Sequence, residues 1–279
     1  MHSALDERLI ELVPSPVVTD ETWKDIATVH DEAYVRAVRE GHPRALAESQ
    51  GFVWSGAFAH AVARIWAGHA AACELALGEG LVLHPVSGAH HASRGRGGGY
   101  CTFNFLVGAA RRLLDRGTVR RVLIVDLDAH QGDGTCELVE GDERFAVFDI
   151  AGAAWIGERR APGRRYGVAR DRHTYARLLT ELPAMVDAVR PDLIEYQAGM
   201  DCHEHDHVGG IDGVDAEFLA ARDRLVIGEA VRRGIPTVIN LAGGYQRDGT
   251  TVRLHVETIR IAARLTNGQS CPPSFTDIG

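Results

Sequence analysis

Residues 121–134 read RVLIVDLDAHQGDG, so three carboxylates and an imidazole follow directly on an apolar run. Asp126, Asp128 and His130 are two apart, and an extended backbone projects them to one side. An ionised carboxylate removed from water must be paired, hydrogen-bonded or bound to a cation. Asp128 and His130 make half of a metal site. Asp201, in QAGMD, can add a second carboxylate and leave an open position for water and substrate, as a catalytic divalent site requires. Taken alone, the run also reads as a hydrogen-bonded ion network with a purely structural role.

A histidine pair narrows the choice. His90 and His91 stand together in GAHHAS, and two aspartates are left over to orient them. Asp126 and Asp133 can each accept a ring N–H, which fixes the tautomer and raises the basicity of the free nitrogen. Two Asp–His pairs beside a metal are machinery for moving protons to and from a bound water and a leaving amine.

The elements that must position these groups are legible as alternating periodicities. GLVLHP, RVLIVDLD, RFAVFDI, DLIEYQAG and PTVINLAGG are short β-branched runs that end in polar or glycine-rich turns. Helical spacing marks HDEAYVRAVRE, SGAFAHAVARIWAGHAAACELALG and segments near 104–116, 172–190, 215–234 and 250–266, and the N-terminal SALDERLIELV also reads as a helix. This alternation predicts a three-layer αβα domain with a central, mostly parallel sheet. Ligands of such sheets bind beyond the carboxyl ends of the strands. His90 and His91, then Asp126, Asp128 and His130, then Asp201, then Tyr245 each follow a different predicted strand.

Size and charge bound the function further. A chain of 279 residues supports one domain, 1–279. A formal charge of −8 and a pI near 5.9 give no footprint for nucleic acid, and the short arginine groups read as solvated faces. Five cysteines without C-x-x-C spacing fit a reducing compartment, so a cytoplasmic location is expected. Neither a leader segment nor a membrane span is predicted, and the expectation is a soluble protein with no membrane partner.

Together, GAHHA, GGGYCTFN, DLDAHQGDG, AGMD and LAGGY resemble, in order and approximate spacing, the histone deacetylase family within the arginase/deacetylase fold. The resemblance covers about residues 28–266, leaves 267–279 as a tail, and through Gln131 is closest to the class IV branch and its bacterial relatives. It implies a zinc ion, with iron(II) as the alternative metal, on Asp128, His130 and Asp201. It implies His90 and His91 as the acid/base pair, Asp126 and Asp133 as their partners, and Tyr245 as hydroxyl donor to the substrate carbonyl. By the same resemblance the Gly99 carbonyl accepts the scissile N–H, Tyr100 and Val208 wall the acyl tunnel, and a structural potassium ion sits around Asp126. Cys101 and Ser93 are then packing and loop residues rather than nucleophiles. The implied activity is removal of acetyl or longer acyl groups from an amine, either acyl-lysine in protein or an N-acylated small molecule. An acetylpolyamine deacetylase and a catalytically silent acyl-binding module are the alternatives.

Three stretches depart from the pattern. The first strand of the family is expected to be missing, which leaves either an open site or a gap filled by another copy in a homo-oligomer. AGAAWIGERRAPGRRYGVA is an arginine-rich rim candidate whose default reading is a solvated loop. DCHEHDHVGG offers His203, His205 and His207, but consecutive loop residues rarely converge, so no second metal is expected there. Gln131, Gly132 and His203 stand where a two-manganese ureohydrolase would need carboxylates.

Overall fold

The computed structural model describes residues 9–269. Seven strands form one sheet: β1 (Leu81–His84), β2 (Val122–Asp126), β3 (Phe145–Ala151), β4 (Arg159–Ala161), β5 (Arg164–Val168), β6 (Leu193–Gln197) and β7 (Thr237–Asn240). Their spatial order is β1-β7-β6-β2-β3-β5-β4, and every pairing is parallel except the β4–β5 hairpin. Strands β2, β3, β6 and β7 are buried throughout, as the central strands of a parallel sheet covered on both faces must be. Alternation along β2 feeds two cores. Val122 and Ile124 pack on one side, while Leu123 and Val125 pack on the other.

The first layer is built by α1 (Asp20–Ile26), α2 (Glu32–Glu40), the short α3 (Arg44–Ala47), the long α4 (Gly56–Glu79), α5 (Phe105–Asp115) and α6 (Asp133–Leu138). The second is built by α7 (Arg172–Leu179), α8 (Leu182–Val189), α9 (Ala216–Arg233) and α10 (Thr250–Thr266). Several starts carry a side-chain cap that satisfies an orphan N–H. Ser55 accepts from Phe58, Asn104 from Val107, Asp171 from Thr174 and Asp215 from Phe218. None of the described helices is long and apolar enough to cross a membrane.

Three expectations change. The predicted helix 172–190 is two helices, because the chain breaks at Thr180 and Glu181 and restarts with Pro183 in the first turn, where its missing N–H costs nothing. Within SALDERLIELV, residues 9–13 are irregular, and 3–8 lie outside the described residues. The arginine-rich stretch is an edge hairpin rather than a solvated loop. Arg165 is buried against Glu158 and Glu181, and Arg164 donates to the carbonyls of Val139, Asp142 and Phe145. At the opposite edge of the sheet, β1 has β7 as its one neighbour, and among the described residues no strand precedes it.

Candidate active site

Four loops at the carboxyl ends of β1, β2, β6 and β7 meet at one edge of the sheet. Asp128, His130 and Asp201 come together there, with one donor atom of each within 4.8 Å of the others. His130 Nδ1 lies 3.1 Å from Asp128 Oδ1 and 2.9 Å from Asp201 Oδ2. Both carboxylates are buried. Backbone donors hold them in place: Asp128 accepts the His130 N–H on Oδ1 at 3.0 Å and the Gly243 N–H on Oδ2 at 2.8 Å, and Asp201 Oδ1 accepts the Ala129 N–H at 2.9 Å.

The electrostatics of this trio call for a cation. Burial and the Asp128 charge push the Asp201 carboxyl up, and hydrogen bonds to both aspartates push His130 up to about 10. A retained proton here offsets part of the charge of two buried carboxylates, and a divalent ion would replace it. The space around the donors is also fixed. A Cβ on Gly243 would meet Asp201 Oδ2 at 2.5 Å and Asp128 Oδ2 at 2.6 Å, so only glycine lets this backbone approach both carboxylates. The donor set of two carboxylates and one imidazole therefore fits a divalent metal.

The histidine pair sits beside the trio with its rings 4.0 Å apart. His90 Nδ1 is 2.9 Å from Asp126 Oδ2, and His91 Nδ1 is 2.7 Å from Asp133 Oδ1. The two pairs are not equivalent. Burial lowers His90, but the Asp126 and Asp128 charges outweigh it and hold the ring well above its ordinary range. For His91 burial dominates over the half-exposed Asp133, and the neighbouring His90 lowers it further. His91 is the member of the pair held neutral.

The remaining predicted residues line one cavity of about 600 Å³ that also reaches His90 and Asp128. Gly99 has φ +48, and a Cβ there would lie 2.3 Å from the His91 ring. Tyr100 packs on Phe52, Val208 stands exposed at the rim, and Tyr245 lies 6.4 Å from His130 between ring centroids. Burial and the Asp128 and Asp201 charges keep the Tyr245 phenol protonated. Of the four non-glycine residues at positive φ among those described, Ala89, Tyr100 and Ala242 all line or adjoin this cavity. Such strain gathers where a surrounding structure fixes a site. Cys101 is buried and its thiol is pushed up to about 11, while Ser93 bonds to Arg96 in its own loop.

Sequence reasoning passed over several residues that shape the site. Asp149 pairs in register with Asp126 across β2–β3 and gives one oxygen to Gly132 N–H, while its Oδ1 has no hydrogen-bond partner. Burial and Asp126 push its carboxyl well up. Its signal was a charge closing the apolar run RFAVFDI. Trp155 lies 5.6 Å from His91 and 6.0 Å from His130 between centroids. Asp206 accepts the backbone N–H groups of Tyr245, Val208 and Gly209. His203 is taken up by Gln246, and among the described residues no group of three metal-donor side chains includes His203, His205 or His207.

The family model for the histone deacetylase domain matches residues 2–154 and 165–259. An uncharacterized protein of Picosynechococcus is 31% identical over 243 residues, which are 85% of this chain and 80% of that protein. Histone deacetylase 2 of Arabidopsis thaliana is 30% identical over 188 residues, 65% of this chain and 48% of its own length. Acetylpolyamine amidohydrolase 2 of Pseudomonas aeruginosa is 29% identical over 174 residues, 56% of this chain and 48% of its own. The chain thus aligns with about half the length of the relatives whose names carry an activity.

Proposed function

The chain belongs to the histone deacetylase family, and on that premise we propose that it is a metal-dependent amide hydrolase that removes acyl groups from amines. The observation that carries this reading is the meeting of the Asp128–His130–Asp201 trio with two oriented Asp–His pairs at one cavity. Asp128, His130 and Asp201 would hold the divalent ion, zinc by preference for this donor set. When bound, it supplies the positive charge that lowers the pKa of a water towards about 7 and polarises an amide carbonyl.

The side chains do the rest. His91, with Nδ1 held by Asp133, has Nε2 free to take the proton of the attacking water. His90, with Nδ1 held by Asp126, lines the cavity and can pass a proton to the departing amine. The Tyr245 hydroxyl donates to the oxyanion, and the Gly99 carbonyl accepts the amide N–H and so orients the bond. No step requires an acyl-enzyme. A monovalent cation such as potassium beside Asp126 and Asp149 would satisfy the unpartnered Asp149 oxygen.

The substrate reading follows from the charge of the cavity. Asp128 is the one carboxylate among its described lining residues, while Arg247 and His207 stand at its rim. Asp206, the acid nearest Val208, is buried and committed to backbone donors. A polycation would find no anionic partner there, so acyl-lysine or a small N-acylated amine is favoured over an acetylpolyamine. The test is elemental analysis together with hydrolysis of acyl-lysine, small N-acyl amine and acetylpolyamine amides. Activity should accompany bound metal and disappear with it in Asp201→Ala. Full metal and full activity in that variant would overturn the site, metal with no hydrolysis of any amide would leave a binding module, and a polyamine preference would reverse the substrate choice.

A further inference from the structure

A second set of metal-ligating side chains lies outside the site described above, between α4 and the sheet. His69 and Cys73 stand one turn apart on α4, Glu195 is the middle residue of β6, and His84 closes β1. Glu195 is out of place in chemical terms. It pairs in register with Ile124 on one side and Val238 on the other, and it is fully buried. Central strands of a parallel sheet are ordinarily apolar, and a carboxylate there must be offset by a partner.

Part of the offset is a hydrogen bond. His69 Nε2 lies 2.6 Å from Glu195 Oε2, and its other nitrogen lies 3.1 Å from His84 Nδ1. That pair accounts for the carboxylate if His69 is protonated, but it does not account for Cys73. The thiol converges on the same point, 3.6 Å from His69 Nε2 and 3.5 Å from Glu195 Oε1. Tetrahedral zinc holds sulfur at about 2.3 Å and nitrogen at about 2.0 Å, which spaces those donors by roughly 3.5 Å. Two of the three donor separations match that figure. The third, the short N–O contact, is the hydrogen bond an ion would replace.

We propose that His69 Nε2, Cys73 Sγ and the Glu195 carboxylate form a second, structural binding site for a divalent transition metal, zinc by its mixed sulfur, nitrogen and oxygen donors. Binding releases two protons, one from the thiol and one from the His69–Glu195 hydrogen bond. The resulting set of a dication, a thiolate, a carboxylate and a neutral imidazole carries no net charge, as a buried site needs, and the Glu195 carboxylate, with Oε2 facing His69 and Oε1 facing Cys73, can supply both oxygens to complete four-coordination. His84 then accepts the remaining N–H of His69 and fixes its tautomer. The ion ties α4 to β6.

Cobalt(II) distinguishes this site from the candidate active site, whose three donors include no sulfur. The full chain, produced in zinc-depleted medium supplemented with Co²⁺, should show a thiolate-to-cobalt charge-transfer band and bind a second equivalent of metal. The band should persist in Asp201→Ala and vanish in Cys73→Ser. Absence of the band in the wild-type cobalt protein, or its survival in Cys73→Ser, overturns the proposal. Should Cys73→Ser not fold, X-ray absorption of the wild-type zinc protein decides the matter. A sulfur neighbour of zinc is the expected result, and purely nitrogen and oxygen coordination refutes it.

Discussion

The side-chain amide of Gln131 brackets Gly157. Its oxygen accepts the N–H groups of Ile156 and Gly157 at 2.7 and 3.2 Å, and its nitrogen donates to the Gly157 carbonyl at 3.0 Å. Gln131 directly follows His130, so the residue next to a candidate metal ligand also holds the turn that sets Trp155 against His91 and His130. Gln131→Ala should release that turn without touching the metal donors. Hydrogen bonds of this kind contribute about 1 kcal/mol each, so kcat/KM for an acyl-lysine amide should fall by roughly tenfold, with metal content unchanged. Equal kinetics in the variant would show that the Trp155 turn takes no part in the site.

Arg222 should prove as important as the metal donors, although it touches no substrate. Fully buried in α9, it donates to the carbonyls of Leu127 at 3.1 Å and Gly199 at 2.6 Å, which lie just ahead of Asp128 and Asp201. Its charge is met by Asp223 at 2.8 Å, which also accepts from Tyr196 and Thr258. Removing one member of a buried pair costs about 3–5 kcal/mol because the other charge is stranded. Arg222→Ala should lose that much in urea denaturation and hold metal more weakly. Arg222→Lys should restore little, because one ammonium lacks the planar fork that reaches both carbonyls and Asp223. A loss below about 1 kcal/mol in Arg222→Ala would contradict the account.

What the sequence made legible was whatever short-range pattern records. Asp126, Asp128 and His130 betray themselves by alternate spacing after an apolar strand, and the β2, β3, β6 and β7 runs are apolar because both faces are covered. Partnerships across the fold leave no such trace. Arg222 sits inside an amphipathic helix where a charge ordinarily faces water, and Glu195 reads as a solvated interruption of DLIEYQAG until β2 and β7 are seen to flank it. The β4–β5 hairpin was hidden because its strands are arginine-rich, and tertiary partners such as Glu181 override β-propensity there.

Gly243 offers a test of the donor cradle that leaves every ligand in place. A methyl group there would strike the oxygens of both Asp128 and Asp201. Gly243→Ala should therefore lower metal content sharply while circular dichroism stays native. The control is Gly228, inside α9, where a Cβ meets nothing within 4 Å. Gly228→Ala should stabilise by about 0.5–1 kcal/mol through helix propensity alone. Wild-type metal content in Gly243→Ala would mean that the ion does not sit between these carboxylates.

Stability should fall on mild acidification, and His30 should be a principal reason. Its ring is buried among Tyr34, Trp66 and Phe103; Nδ1 donates to the Ser93 carbonyl at 2.9 Å, and Nε2 accepts the Asn104 N–H at 2.9 Å. That arrangement demands a neutral ring, since a second proton would face the Asn104 donor. Burial lowers its pKa from 6.5 to about 4, and His255 is lowered to about 4 in the same way. Between those values the unfolded chain binds a proton that the folded chain refuses, so unfolding free energy rises with pH across the window. The contribution of His30 is complete above 6.5 and is lost as pH falls towards about 4, a change of roughly 3 kcal/mol. His30→Gln keeps a donor and an acceptor but cannot titrate. Its urea midpoint should lie below wild type at pH 7 and converge on it near pH 4.5, whereas parallel pH profiles for the two proteins would show that His30 does not set the acid limit.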